Sequence, residues 1–350
     1  MNGPLPGLLA PLTMPASWGY GFAVRARNAR FDRGAGVATV AVPVISVGNV
    51  TAGGSGKTPM VRWVVQRLVR AGVKPAIAMR GYAATGGEAG DETLEHRLFL
   101  GDVPVLADPD RVGALRSFLP QNPQIGCVVL DDGFQHRRLR RDLDLVLIDA
   151  TRDTMRDRLL PRGWLREPLE CLRRAHAIIV MRAEAIDERL SDAVRRQHGR
   201  PPIAWSRHQW THLAVFDGRD APDEVPVGWL DGKRVITLLG VGNRPSVHRQ
   251  VEAAGASVIA DVPARDHEPY DRAKMTLVKS LCDGSDALVM TAKDWVKVRR
   301  LIDITAWPVP IAVPRLEIDV FDGAEALTTM IVDVTGSAAS RGSPAHVQAH

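Results

Sequence analysis

Pro43–Thr58 reads PVISVGNVTAGGSGKT, and this run decides the fold. An apolar strand pattern leads into a glycine cluster that ends on Lys57 and Thr58. Gly53, Gly54 and Gly56 let the backbone bend tightly, so that successive N–H groups point inward at anionic oxygens. In such a loop the lysine, Lys57, reaches the β- and γ-phosphates of a nucleotide, and the Thr58 hydroxyl ligates Mg²⁺. The strict pattern G-x-x-x-x-G-K-[ST] is broken once, where Thr51 stands in place of the first glycine. The motif requires a strand before it and a helix after it. VPVISVG, ending at Gly48, and VRWVVQRLVRA, beginning at Val61, supply both patterns.

Outward from this run, strand-like and helix-like segments alternate along most of the chain. Strands are expected at Pro43–Val47, Pro75–Met79, Pro104–Ala107, Cys127–Leu130, Leu143–Ile148 and Ala177–Met181, with helices at Pro59–Ala71, Arg111–Phe118 and Ile186–Gln197. A second alternation starts near Arg234 and runs to Val332. The fold class is therefore α/β: a P-loop NTPase-like, mainly parallel sheet flanked by helices, followed by a second, smaller α/β domain. The expected boundaries are an amino-terminal segment over 1–35, the P-loop domain over 36–200 and a proline-rich linker with a few short strands over 201–227. The second domain then covers 228–334, and a small, polar, disordered tail covers 335–350.

With 350 residues, 45% hydrophobic and 24% charged, the chain has material for two ordinary domains and a sizeable core. Cys127, Cys171 and Cys282 are odd in number and lack a C-x-x-C spacing, which speaks against a disulfide framework or a zinc site and for a reducing compartment. A net charge of +5 and a pI near 9.4 favour an anionic partner, though generic solubility accounts for the charge equally well. No charged side chain occurs from Met1 to Val24, but Pro4, Pro6, Pro11 and Pro15 are expected to break any long helix there. Trp18, Tyr20 and Phe22 precede Arg25, Arg27, Arg30 and Arg33. Two readings stand for this segment: an element lying at the headgroup level of a membrane, or an arm packed on the protein's own core.

Further motifs sit at strand ends. CVVLDD closes on Asp131 and Asp132, an acidic strand end of the kind that aligns Mg²⁺ beside a phosphate loop. It continues into Gln135-His136 and then Arg137, Arg138, Arg140 and Arg141, which either form a solvated face or stand beside an anionic substrate. Gly90-Asp91-Glu92 follows a glycine-rich loop; on residues alone, Asp91 reads best as a helix cap, with proton acceptance as the alternative. Asp266-His267 tunes a proton transfer or satisfies a turn. Thr291-Ala292-Lys293-Asp294 lacks the lysine position of a guanine-reading tetrad, which counts against a GTPase.

Taken in order, PVISVGNVTAGGSGKTP, RGY, GDE, DPDR, LDDGFQHRRLRRDLDLVLIDA, LLPRGWLREP, GVGNRP, DHEPY and TAKDWVK resemble the tetraacyldisaccharide 4'-kinase family over roughly residues 8 to 333. The resemblance implies an ATP- and Mg²⁺-dependent transfer of a phosphoryl group to the 4'-hydroxyl of an acylated glucosamine disaccharide 1-phosphate, giving lipid IVA in lipid A biosynthesis. It also implies work at the cytoplasmic face of the inner membrane, as a peripheral or monotopic monomer with no nucleic-acid partner. That favours membrane contact for the amino-terminal segment. It implies a nucleotide cradle of Thr51, Ala52, Gly53, Gly54, Ser55, Gly56, Lys57 and Thr58, with Gln135, Arg111 and Arg166 alongside. Thr58, Asp131, Asp132, Glu92 and Glu167 become the metal-side residues. Lys57, Asp91, His267 and Asp266 become the catalytic set, with Asp91 taking the hydroxyl proton in place of the capping role. The chain departs from the usual family pattern at Arg162, Trp164, Arg244, Glu268 and Ala292. The competing function is a P-loop switch or ATPase at the membrane without lipid kinase activity; a labelled-nucleotide transfer assay separates the two.

Overall fold

In the computed structural model, which describes residues 10–53, 56–81, 91–219, 221–241, 244–264 and 270–339, the apolar run ahead of the glycine cluster is a strand. The chain order begins α1 (Ala10–Asp32), β1 (Val44–Asn49), α2 (Lys57–Arg70), β2 (Pro75–Met79), α3 (Asp91–Leu100), β3 (Val105–Ala107) and α4 (Arg111–Phe118). It continues with β4 (Cys127–Asp131), β5 (Leu143–Asp149), β6 (Ala177–Met181), α5 (Glu188–His198), β7 (Ala204–Phe216) and β8 (Asp223–Pro226). The remaining elements are β9 (Arg234–Leu239), α6 (Arg244–Ala253), β10 (Ser257–Pro263), α7 (Arg272–Leu281), β11 (Ala287–Met290), α8 (Ala292–Val298), β12 (Ile311–Asp322) and α9 (Ala324–Ala339).

Two units divide the chain. The first takes Met1–Ala89, Phe99–Arg207 and Ile318–His350, and the second Gly90–Leu98 and His208–Glu317. In the first, the strand order β7-β6-β5-β1-β4-β2-β3 is parallel throughout. All six residues of β1 are buried, as a strand covered on both faces requires. Its alternation sends Ile45 and Val47 towards Met60, Val64 and Leu68 of α2, and Val44 towards Leu115 of α4. The chain passes from β4 to β5 across β1, so the strand order reverses there. In open α/β sheets, ligands bind outside the carboxyl ends of the strands at such a reversal. In the second unit, β10-β9-β11-β12 run parallel, and β8 pairs antiparallel with β7. Val235, Val251, Val289 and Ala312 lie in its core.

Several boundaries differ from expectation. The linker expected over 201–227 contains a thirteen-residue strand, β7, followed by β8. Pro201 and Pro202 mark only the start of that strand. The P-loop domain does not end at 200: Ile318, Leu327 and Ile331 return to pack with Ile45, Val64 and Leu68. The tail expected from 335 is helical to Ala339, while 340–350 lies outside the described residues.

The proline-broken amino terminus is also corrected, because residues 10–32 form one helix that contains Pro15. Pro11 falls in the first turn, where an N–H has no intrahelical partner anyway, and Pro15 removes a single hydrogen bond. Packing offsets that loss. Ser17, Gly21, Val24 and Asn28 make a buried stripe at three- and four-residue spacing. On it, the Ser17 hydroxyl donates to the Leu159 carbonyl at 3.0 Å, and Arg137 donates to the Asn28 carbonyl at 2.9 Å.

Candidate active site

The carboxyl ends of β1 and β4 lie side by side, with Val47 opposite Asp131. A tight turn follows β4. Asp132 takes a left-handed backbone (φ 51°), and the Gly133 N–H donates to the Val47 carbonyl at 3.2 Å. Any side chain at Gly133 would collide with Ser46 and Leu130, so the turn presses directly on β1. Arg111, buried at the start of α4, donates to the carbonyls of Asp131 (3.1 Å) and Asp132 (3.3 Å). It braces the acidic turn from behind.

After β1, Thr51 pairs with Leu165 and the Ala52 N–H donates to the Trp164 carbonyl at 2.7 Å. Thr51 is buried, and its carbonyl and hydroxyl accept from Asn49 Nδ2 at 2.8 and 3.1 Å. An extended residue with a bonded side chain serves here, which is the physical reason that the first glycine of the strict pattern is dispensable. Gly56 does need its freedom: at φ 78° it turns the chain into α2, and no side chain caps that helix. The first-turn N–H groups of α2 and the positive end of its dipole thus face outward for an anion.

Lys57 and its surroundings form a closed ring. Lys57 Nζ donates to Asn49 Oδ1 at 3.4 Å and lies 3.7 Å from Asp132 Oδ1. Arg166 Nη1 contacts both Asp132 oxygens, at 3.0 and 2.8 Å, and donates to Gln135 Oε1 at 3.3 Å. Gln135 Nε2 completes the ring by donating to the Asn49 carbonyl at 2.8 Å. Burial works to raise the Asp132 carboxyl, but Lys57, Arg166 and Arg111 together outweigh it and hold it below the usual carboxylate range. Beside the ring, His136 is driven down to about 4 by burial and by Arg111, Arg141 and Arg138, so its imidazole is neutral.

The structure thus brings Lys57, Asp132, Gln135 and Arg166 together, with Thr58 the second residue of α2 and Asp131 the last of β4. Glu167 stands elsewhere. Its carboxylate is fully buried and accepts from Arg27 (2.7 Å) and Asn28 (3.2 Å), with Arg174 at 2.8 Å. Its oxygens thus tie α1, through Arg27 and Asn28, to Arg174. Asp91 and Glu92 open α3. Gly54, Ser55, Asp266 and His267 lie outside the described residues. Of the four arginines after His136, Arg137 ties to α1 and Arg141 pairs with Asp144 at 2.8 Å. Arg138 approaches Asp110 at 3.8 Å, and Arg140 is exposed. Sequence reasoning overlooked Asn49, whose signal was available as a lone amide in an otherwise apolar buried strand. It also overlooked Tyr20, whose hydroxyl donates to the Arg166 carbonyl at 2.8 Å.

Residues 9–334 match the family model described as tetraacyldisaccharide-1-P 4'-kinase. A tetraacyldisaccharide 4'-kinase of Ectopseudomonas mendocina is 35% identical over 87% of this chain and 89% of its own. One of Geobacter sulfurreducens is 32% identical over 83% and 84%. Among solved structures, LpxK from Aquifex aeolicus, crystallised in complex with ATP, superposes with a TM-score of 0.70 at 26% identity, covering 93% of this chain and 99% of that one. With a phosphate loop, a braced acidic turn and matches that run almost from end to end, this chain belongs to the tetraacyldisaccharide-1-P 4'-kinase family.

Proposed function

We propose that this protein is an ATP-dependent kinase that phosphorylates the 4'-hydroxyl of tetraacyldisaccharide 1-phosphate, producing lipid IVA, a glycolipid of lipid A biosynthesis. The observation that carries this is the ring around Lys57: a cation at an uncapped helix start, aligned by Asn49 and Asp132 and locked by Arg166. Those residues suit a triphosphate. Among the described residues no three His, Cys, Asp or Glu side chains gather to hold a metal by themselves. Thr58, Asp131 and Asp132 are the residues that would hold Mg²⁺, which would supply charge neutralisation for the phosphate chain.

Nucleotide and Mg²⁺, when bound, supply the transferable phosphoryl group and part of the charge neutralisation. The chain supplies the rest. The α2 N–H groups and Lys57 hold anionic oxygens in a fixed field, and Arg166 and Gln135 keep that field from relaxing. Arg111 fixes the Asp131–Asp132 backbone beside the nucleotide. Asp91 takes the proton from the attacking hydroxyl, with His267 polarising Asp91 and Asp266 supporting that histidine. Glu167 serves to seat α1.

α1 supports a membrane-surface role. Met14, Trp18 and Phe22 follow one another at four-residue spacing and are 39%, 68% and 76% exposed, ahead of Arg25, Arg27, Arg30 and Arg33. An apolar stripe with a basic flank suits the headgroup boundary. Among the described residues no helix is long and apolar enough to cross a membrane. We place the protein as a peripheral or monotopic monomer at the cytoplasmic face of the inner membrane, acting on no nucleic acid. A mixed-micelle assay with labelled ATP decides the matter: label is expected on the acylated disaccharide monophosphate and far less on its deacylated form. Nucleotide hydrolysis without lipid labelling would reject the assignment in favour of an ATPase or switch.

A further inference from the structure

We propose that the first unit carries a second anion site, on the edge of the sheet opposite the phosphate loop, for a phosphate group attached to an apolar moiety. A cleft of about 1030 Å³ opens where β5, β6 and β7 begin, with one face of α9 as its wall. The phosphate loop lies beyond the other ends of these parallel strands, so the two sites are separate.

Three arginines line the cleft from three different connections: Arg140 ahead of β5, Arg173 ahead of β6 and Arg200 ahead of β7. Each is exposed, and no carboxylate among the described residues pairs with any of them. Their chain neighbours differ. Arg141 pairs with Asp144 at 2.8 Å and Arg174 with Glu167 at 2.8 Å, both half-buried. In each doublet one arginine is thus spent inside the fold while the other is left with its charge unmatched. Among the described residues two carboxylates line the cleft: Asp142 is turned to the start of β1 and accepts from the Val44 N–H at 3.0 Å, and Asp333 stands exposed on α9, so the arginines still outnumber the carboxylates.

Like charges gathered around one concavity repel, and that repulsion is relieved when an anion enters. Guanidinium forks suit phosphate in particular, through paired N–H donors in a fixed plane. The cavity exceeds a bare phosphate, and Leu143, Ile203, Met330 and Val334 give it an apolar side. A phosphate next to a hydrocarbon portion fills both halves. Such a ligand comes either from a phospholipid headgroup or from a soluble phosphorylated compound.

The test uses the full chain with its phosphate loop filled by a non-hydrolysable ATP analogue and Mg²⁺. Calorimetric titrations follow with dihexanoyl phosphatidic acid below its micelle concentration, hexyl phosphate and dihexanoyl phosphatidylcholine. One equivalent of the phosphatidic acid is expected to bind. The triple variant R140A/R173A/R200A should bind it about 1,000-fold more weakly, since each of the three charge-assisted contacts is worth roughly tenfold. The matching triple lysine variant keeps the charge but loses the paired donors, so its affinity should fall between those of the native protein and the alanine variant, and analogue binding at the phosphate loop should be unchanged in both. Comparable hexyl phosphate binding supports the site and indicates a soluble phosphorylated compound; much tighter binding of phosphatidic acid supports it and indicates a headgroup. No binding, equal binding of phosphatidylcholine, or equal affinity in the alanine variant overturns the proposal.

Discussion

Asp132 is the residue on which most of the charge converges. One carboxylate faces Lys57, Arg166 and the backbone held by Arg111, so its ionised form persists well into acid. Neighbouring His136 has the opposite problem. Its folded form stays neutral down to about 4, whereas an unfolded histidine takes up a proton near the ordinary value of about 6.5. Between those pH values the unfolded chain binds more protons, so His136 makes stability fall as pH drops through this window and contributes nothing above it. Replacing His136 with Gln should flatten that slope, by at most about 1.4 kcal/mol per pH unit, in denaturant titrations from pH 7 to 4. Identical slopes in both proteins would refute it. For Asp91, Asp91→Ala should lower turnover by roughly 10² to 10⁴ with nucleotide affinity nearly intact. Full turnover would remove Asp91 from the proton transfer. These roles were legible unevenly. Lys57 announces itself through the glycines around it. Glu167 misleads, because LREP reads as an active-site motif, and only the packing shows that its carboxylate is surrounded by Arg27, Asn28 and Arg174.

At the scale of elements, the strands of the first unit were readable because they are buried on both faces and carry unbroken apolar runs. β7 was not. Its sequence AWSRHQWTHLAVF mixes arginine and histidine into a strand only partly buried, so alternation is blurred and the flanking prolines suggest a linker. α1 escaped for another reason: prolines argue against a helix locally, while the contacts that hold it come from residues 159–171, far along the chain. Its outward stripe is testable. Trp18 and Phe22 each bring about 1.5–3 kcal/mol if removed from water. The double variant W18E/F22E should therefore lose co-sedimentation with phospholipid vesicles. Thermal stability should change by no more than about 0.5 kcal/mol, because both side chains already face solvent. Vesicle binding that survives the double change would rule out the stripe as the membrane contact.

Across the whole molecule, the net charge of +5 now has an address. Arg30 and Arg33 lie exposed beyond the apolar stripe of α1 and Arg140, Arg173 and Arg200 line the amino-edge cleft, while Arg25 and Arg27 pair with Glu170 and Glu167 and the arginines around the acidic turn are internally matched. Association with vesicles rich in anionic phospholipid should therefore weaken steeply between about 0.05 and 0.5 M salt, as the screening length shrinks from over 10 Å to a few ångströms. Salt-independent association would assign the interaction to the apolar stripe alone. The division into two units was foreseen in outline only, since nothing local signals that β12 and α9 carry the chain back to the first core.

The hydrogen bond from Tyr20 to the Arg166 backbone gives α1 a double duty. A truncation made to obtain a better-behaved reagent would not remove the proposed membrane stripe alone. It would also withdraw a strut from the backbone of Arg166, whose guanidinium closes the Lys57 ring, and an impaired fragment would say little about the need for a bilayer.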